Sequence, residues 1–309
     1  MPNEANTCSD GPLISGVIVN YNAGSFLANC IQTILPQVGE VVVVDNASKD
    51  LSIAQCKHAF VHEPRLTIVS NKTNLGFAAA CNIGLHQAKG DFILFLNPDC
   101  SLEENAVSEL LRALQSDVTV GMVGGLLVNP DGSEQAGGRR AVPTPWRSFV
   151  RAFGLSSLAN RWPKLFFDFH LHQQPLPDRS IEIEAISGAC MLVKREAITG
   201  VGLWDEGYFL HCEDLDWCLR FRQKGWKILF VSSARITHAL GVCGRHRPIF
   251  VEWNKHKGMM RFYRKFFRHQ YPGVLMALVA VGVWLRFGLV AAYHLTKRAC
   301  QALRFKRGG

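Results

Sequence analysis

The sequence predicts an α/β protein built on an open, mostly parallel sheet flanked by helices, with a basic, apolar helical extension at its C-terminal end. Three observations carry this expectation. Short β-branched or apolar runs alternate with stretches of helical apolar spacing from Leu13 onward. The run Val41 to Val44 has no polar face, as a strand buried on both sides of a parallel sheet requires. Each run closes on Asn or Asp, at the carboxyl edge where such sheets bind ligands.

Taken in order, LISGVIVNYN reads as a strand that closes on Asn20 and Tyr21, and FLANCIQTIL as the helix after it. EVVVVDNASKD is a second strand closing on Asp45, followed by a second helix. RLTIVS is a third strand, and NKTNLGFAAACNIGLHQA a loop and helix holding Asn74-Leu75-Gly76 and Asn82-Ile83-Gly84. DFILFLNPDC is a fourth strand, closing on Asn97 and Asp99. The helix EENAVSELLRALQ and the strand VGMVGGLLV follow. Through the fourth strand the pattern is βαβαβαβ.

From Asn129 to about Ser180 the chain is rich in Gly, Pro and Arg and reads as a long, partly irregular connection. More strand and helix follow in IEAISGACMLVKREAI and in GLWDEGYFLHCEDLDWCLRFRQKGWKILFVSSARITH, with no linker between. Residues 13–244 are therefore expected to form one unit with halves 13–128 and 129–244. The polar residues 1–12 are expected to be flexible.

Composition narrows the classes. At 309 residues, 48% hydrophobic and 19% charged, the chain is neither disordered nor collagenous nor a coiled coil. Its ten cysteines show no CxxC pair, which argues against structural zinc. The first twelve residues lack a basic n-region and an apolar h-region, so cytoplasmic placement with reduced thiols is expected. The net charge of +9 is uneven: residues 245–309 hold 14 Lys and Arg against the single acid Glu252.

Several residues are candidates for chemistry. Asp99 at the end of FILFL faces the ligand crevice, where a carboxylate and the Asn97 oxygen suit a hard divalent cation; Asn-Pro-Asp is equally good turn chemistry. Asp45 suits a base N–H or a ribose hydroxyl, or an Asx turn. The Asn74 to Gly84 region offers a helix N-terminus to a phosphate but matches neither a dinucleotide fingerprint nor a P-loop. Glu213, Asp214 and Asp216 complement a helix dipole or supply a general base. His211 and His238 are candidate metal ligands or structural histidines. Arg139, Arg140 and Trp146 meet a phosphate or a sugar face, or belong to a solvated loop.

Together these pieces resemble the family 2 glycosyltransferases of GT-A fold, and most closely their bacterial rhamnosyltransferase-like branch. The resemblance covers about residues 13–244. It rests on IVNYN, VVVDNASKD, NLGFAAACNIG, FLNPD, SGACMLVKREAI, WDEGYFLHCEDLDWCLR and His238, in that order. It implies an inverting transferase that uses a nucleotide diphosphate sugar, with L-rhamnose from dTDP-rhamnose as the donor sugar. By position Asn20, Tyr21 and Asp45 line the nucleotide, while Asn74, Gly76 and Asn97 shape the nucleotide-sugar pocket. Asp99 holds Mg²⁺ or Mn²⁺, with His238 as a further ligand. Asp214 is the base and Glu213 its support. Asn97 departs from the family's DxD pattern, where an acidic residue stands.

The resemblance also implies a lipid-linked or saccharide acceptor of a cell-envelope polysaccharide of O-antigen type. A nucleotidyltransferase shares the sheet logic but needs a basic Gly-rich loop after the first strand, and NYNAGS has no basic residue. A silent scaffold predicts loss of Asp45, Asp99 and Asp214, which are all present.

The segment from Val274 to Leu295 is nearly all apolar, interrupted by Arg286. Basic and aromatic residues flank it: Arg261, Arg264, Lys265 and Arg268 among Phe and Tyr before it, and Lys297, Arg298, Arg304, Lys306 and Arg307 after it. This pattern suits an anionic membrane surface at the inner face of the plasma membrane better than a span, with a buried capping helix as the alternative. No nucleic-acid-binding motif accompanies the charge.

Overall fold

The computed structural model describes residues 13–307 apart from 153, 163–164, 167–168, 170, 240 and 242–246. The expected 1–12 segment and the expected boundary at 244 fall outside the described residues. The first half follows the predicted alternation: β1 (Ile14–Asn20), α1 (Phe26–Ile34), β2 (Glu40–Asp45), α2 (Ser52–Ala59), β3 (Leu66–Ser70), α3 (Phe77–Gln87) and β4 (Phe92–Leu96). These four strands pair in parallel in the order β3-β2-β1-β4.

The four valines of β2 show why the run has no polar face. Val41 and Val43 belong to the core layer that holds Leu27, Ile31 and Leu110, while Val42 and Val44 belong to the opposite layer with Trp204, Trp217 and Phe221. Successive side chains of a strand point to opposite faces, so a strand covered on both sides must be apolar throughout. β4 divides the same way, Phe95 on one layer and Leu94 and Leu96 on the other.

Beyond β4 the sheet changes direction. β5 (Cys100–Leu102), α4 (Ala106–Gln115) and β6 (Val120–Val128) come next, and then the short β7 (Arg139–Arg140) and α5 (Pro145–Ala152). β8 (Ile181–Glu182), β9 (Ala185–Ile186), β10 (Cys190–Lys194), α6 (Arg195–Val201), α7 (Glu213–Gln223) and β11 (Lys227–His238) complete the unit. β10 runs antiparallel between β4 and β6, β11 lies parallel to β6, and β5 pairs antiparallel with β11. Among the described residues the result is a nine-stranded, mostly parallel sheet and a two-stranded β7-β9 ribbon.

The C-terminal residues do not form the single segment expected from their charge. α8 (Pro248–Phe267) belongs to the globular core: Phe262, Tyr263 and Phe267 are buried in the same layer as Trp217. Lys265 Nζ lies 2.7 Å from Asp205 and 2.6 Å from Asp216, and Arg261 is 2.8 Å from Asp205. Counting charge alone hides this, because the basic residues of α8 share the helix with an apolar face that periodicity assigns to the core. α9 (Gly273–Arg307) packs one side against the same layer through Met276, Val279 and Val283, but none of its apolar window is buried, so the buried capping helix is not what the structure contains.

Candidate active site

The carboxyl ends of β1, β2 and β4 meet on one edge. Asn20 and Asp45 are register partners, and Asn20 Nδ2 lies within hydrogen-bond distance of Asp45 Oδ1 (2.9 Å), Ser48 Oγ (3.0 Å) and Ser52 Oγ (2.9 Å). Asn20 is fully buried. It thus sits behind Asp45 and orients it rather than lining a ligand directly, whereas Tyr21, one residue on, is half-buried. Asp45 Oδ2 also accepts from the Ser48 N–H at 3.3 Å.

Asn46, which sequence reasoning left unassigned, ties this edge to the next loop. Its Oδ1 accepts from Asn71 and from the Leu75 N–H, and its Nδ2 donates to the Gly76 carbonyl at 3.0 Å. Asn74 Oδ1 closes a turn on the Gly76 N–H at 2.9 Å. Gly76 has φ +89, and a Cβ there would come 2.6 Å from the Phe209 carbonyl oxygen, so the position demands glycine twice over.

Asp99, in the turn between β4 and β5, and His238, the last residue of β11, come together from opposite ends of a long stretch of chain. Asp99 Oδ1 is 3.2 Å from His238 Nε2, and both side chains are buried. Asn97 Nδ2 is 3.4 Å from the same ring nitrogen. Gln135 fixes the imidazole. Its Nε2 donates to Asn129 Oδ1 and to the His238 carbonyl, which leaves Oε1, 2.6 Å from His238 Nδ1, to accept. The network therefore assigns the proton to Nδ1 and turns the Nε2 lone pair toward Asp99.

A lone pair and a carboxylate oxygen at that separation repel each other unless a proton or a metal cation lies between them. The donor set fits a divalent ion: a carboxylate and an imidazole whose far nitrogen is held by an amide oxygen are the usual ligand and support. Among the described residues this is the one cluster with metal-ligand types, and its third member is Cys100. Burial pushes the Cys100 thiol well up, and its Sγ lies 3.5 Å from the Ala189 carbonyl, so it stays a packed thiol. His211 does not join the cluster. It lies beside Lys255, and burial, helped by that ammonium, pushes it down to about 4.

Glu213 and Asp214 open α7 after two left-handed residues, His211 and Cys212, with φ of 68 and 70. Asp214 Oδ2 accepts from the Gly188 N–H at 3.2 Å, and Oδ1 from the Leu215 N–H at 2.8 Å. Ala189, next to Gly188, accepts from the Asn97 N–H at 2.9 Å. The turn that enters β10 therefore joins the Asp214 carboxylate to the Asn97-Pro98-Asp99 corner. Burial, reinforced by the neighbouring Asp214 carboxylate, holds the Glu213 carboxyl well above the usual carboxylate range. Its Oε2 has no hydrogen-bond partner among the described residues.

Arg140, expected from the sequence to meet a phosphate or a sugar face or to lie in a solvated loop, has a protein partner instead. Its guanidinium forms an ion pair with Asp214 Oδ2. Alternation along β7 sends its neighbour Arg139 the other way, onto Glu134 at 2.7 Å and the Gln174 carbonyl at 2.6 Å. Neither arginine lies in a solvated loop. The available signal was two adjacent arginines in a Gly-rich stretch, which does not reveal a partner 74 positions away. Trp146, by contrast, is partly exposed and stacks on Phe149 at 5.5 Å.

The profile of the family described as "Glycosyl transferase family 2" matches residues 15–199. Over 236 residues, 72% of this chain and 74% of the relative, the sequence is 27% identical to N-acetylglucosaminyl-diphospho-decaprenol L-rhamnosyltransferase of Mycobacterium tuberculosis. It is 24% identical to low-salt glycan biosynthesis hexosyltransferase Agl10 of Haloferax volcanii, over 70% of this chain and 63% of that one. The fold is similar to that of mannosyltransferase PcManGT from Pyrobaculum calidifontis, solved with GDP-Man and Mn²⁺, with TM-score 0.56, 17% identity and 94% and 81% of the two chains covered. It is also similar to that of GalNAc-T7, solved with UDP, GalNAc and Mn²⁺, with TM-score 0.56 and 19% identity over 75% of this chain and 44% of that one.

Proposed function

The chain belongs to glycosyltransferase family 2 and is a GT-A glycosyltransferase; from that premise we propose that it moves L-rhamnose from dTDP-rhamnose, with inversion, to a saccharide carried on a lipid diphosphate. The relative named for L-rhamnose transfer to such a lipid supports the donor and acceptor classes. The observation that carries the mechanism is the Gly188-Ala189 turn, which sets the Asp214 carboxylate across from the Asn97-Pro98-Asp99 corner.

In this reading Asp45, braced by Asn20, accepts from the pyrimidine base, and Tyr21 borders it. The Asn74 to Gly76 turn and Asn97 bound the sugar-diphosphate. Asp99 and His238 would hold a divalent ion, which would supply positive charge to offset that of the departing diphosphate. The imidazole ligand makes the set less purely oxygen than Mg²⁺ prefers, which favours Mn²⁺.

Asp214 acts as the general base. It takes the proton of the acceptor hydroxyl as that oxygen bonds to the anomeric carbon, and the carbon–oxygen bond to the nucleoside diphosphate breaks on the opposite face. The two adjacent carboxyl groups have different surroundings: burial favours the neutral form of Glu213, while Asp214 pairs with the Arg140 guanidinium and accepts from the Gly188 N–H. The product belongs to a cell-envelope polysaccharide of O-antigen type.

The test is turnover of dTDP, UDP and GDP sugars with a synthetic polyprenyl diphosphate saccharide, with the product anomer read by NMR. Transfer from dTDP-rhamnose with inverted configuration is expected. Transfer from a UDP or GDP sugar alone would overturn the donor assignment, and binding without transfer of any sugar would return the scaffold reading.

A further inference from the structure

α9 carries two apolar faces, and only one of them is used. Met276, Val279 and Val283 pack against the core layer that holds Phe262 and Phe267. Trp284 and Phe287 meet Trp253 of α8, with ring centroids 5.0 and 5.4 Å apart, and Phe287 also meets His256 at 5.6 Å. These contacts lay α9 back alongside α8. The spacing of the outer residues Val274, Leu278, Val281, Leu285, Leu289 and Tyr293 puts them on the other side, each more than half exposed. At 1.5 Å per residue this stripe is about 28 Å long. The most apolar 18-residue window within Gly273–Gln301 has a mean hydropathy of 2.2, and none of that window is buried.

We propose that α9 lies flat in the surface of an anionic lipid bilayer, with its outer stripe in the acyl boundary and both of its ends on the cytoplasmic side. Three observations select this geometry over a span. One flank of α9 is committed to α8, and α8 is fixed to the catalytic unit by Phe262, Tyr263 and the Lys265–Asp216 pair. Carrying α9 across the hydrocarbon would drag in the charged residues Glu252, Lys255, Lys257 and Arg261 of its partner. The sequence is basic at both ends of α9, with the exposed Arg264 and Arg268 before it and Lys297 to Arg307 after it, and basic flanks stay on the cytoplasmic side. Arg286, the one charge within the stretch, is exposed on a stem long enough to reach the headgroups.

The same arrangement sets the height of the site. A Cβ on Gly258 of α8 would come 2.7 Å from the His211 carbonyl oxygen, so α8 rests on the turn that leads into Glu213 and Asp214. A bilayer seated on α9 is thereby held at a fixed distance from the base. That consequence rests on the lipid-linked acceptor proposed above; the docking of α9 does not.

Flotation of the full chain with sealed vesicles tests the docking, and the side reached by Cys300 tests the geometry. The chain is expected to float with phosphatidylglycerol vesicles and not with phosphatidylcholine alone. Leu278→Glu with Leu285→Glu, both on the outer stripe, should weaken binding at least about tenfold while leaving donor hydrolysis in detergent intact. Cys300 is exposed and the other described cysteines are buried, so with Cys8→Ser and Cys243→Ser it becomes the reporter. An impermeant maleimide should reach Cys300 and a control Ser25→Cys from the same side, in inverted membrane vesicles and not in spheroplasts. Labelling of Cys300 only in spheroplasts would mean a span and overturn the proposal. So would absence of flotation, or a dimer that the Leu→Glu pair splits without any change in vesicle binding. Loss of donor hydrolysis with flotation retained would instead strike the transferase reading.

Discussion

Replacing Arg140 with Gln isolates the contact that sequence reasoning missed. The pair keeps only 19% and 13% of its side-chain surface in solvent. At about 4 Å and an effective dielectric near 20, two unit charges attract by about 4 kcal/mol, and truncating one partner of a buried pair costs about 3–5 kcal/mol. The residual exposure and the two backbone N–H donors that remain on Asp214 bring this case down to the bottom of that range or just below it, about 2–3 kcal/mol. For a chain of this length that is a fall of about 5 °C in Tm. The decisive assay is a double-mutant cycle by urea unfolding with Arg140→Gln, Asp214→Asn and the pair. A coupling of about 2 kcal/mol is expected, because the neutral amide introduced by Asp214→Asn no longer needs the guanidinium. Turnover of Arg140→Gln should drop on the order of tenfold with donor affinity kept, since the base loses its orientation and the nucleotide edge is untouched. Single changes that add to within about 0.5 kcal/mol would refute the reasoning.

Three further outcomes follow from the same geometry. Because the folded Glu213 carboxyl titrates above its unfolded value, its contribution to stability is complete below the usual carboxylate range and is lost as pH rises through the folded value; the Tm of the wild type should fall between about pH 5 and about pH 9, and Glu213→Gln should flatten that fall. Gln135→Leu frees the His238 ring, and Mn²⁺ affinity by calorimetry should drop about 10- to 100-fold with the fold intact by circular dichroism. Gly76→Ala meets both a positive φ and the Phe209 carbonyl, and thermal unfolding should show a loss of about 2 kcal/mol or more.

The parts of this molecule legible in its sequence are those set by local pattern. The four valines of β2 and the FILFL run of β4 announce strands with two covered faces, and their terminal Asp45 and Asp99 announce the carboxyl edge, because side-chain period and burial are properties of neighbouring residues. Pairing direction is not such a property. Nothing in CMLVK states that β10 runs antiparallel between β4 and β6, and that choice is what brings Gly188 to Asp214 and Ala189 to Asn97. Gln135 and the pairing of Arg140 with Asp214 escaped for the same reason: each acts on a residue far along the chain, in a stretch whose Gly and Pro content suggests solvent. Asn20 was placed on the right edge but one layer too far out, since its position at a strand end does not reveal that its amide turns inward to Ser52. Net charge misled most at residues 245–309, where α8 belongs to the core and α9 alone presents an apolar face.

The central claim is a division of labour between Asp99 with His238 on one side of the crevice and Asp214 on the other. Calorimetric binding of dTDP-rhamnose to the wild type, Asp99→Ala and Asp214→Asn, with and without Mn²⁺, tests it most directly, with turnover measured on the same samples. Mn²⁺ is expected to tighten donor binding to the wild type and to Asp214→Asn, Asp99→Ala to lose this enhancement, and Asp214→Asn to bind normally yet turn over at least about a hundredfold more slowly. Metal-enhanced binding that survives Asp99→Ala, or full turnover in Asp214→Asn, would contradict the claim.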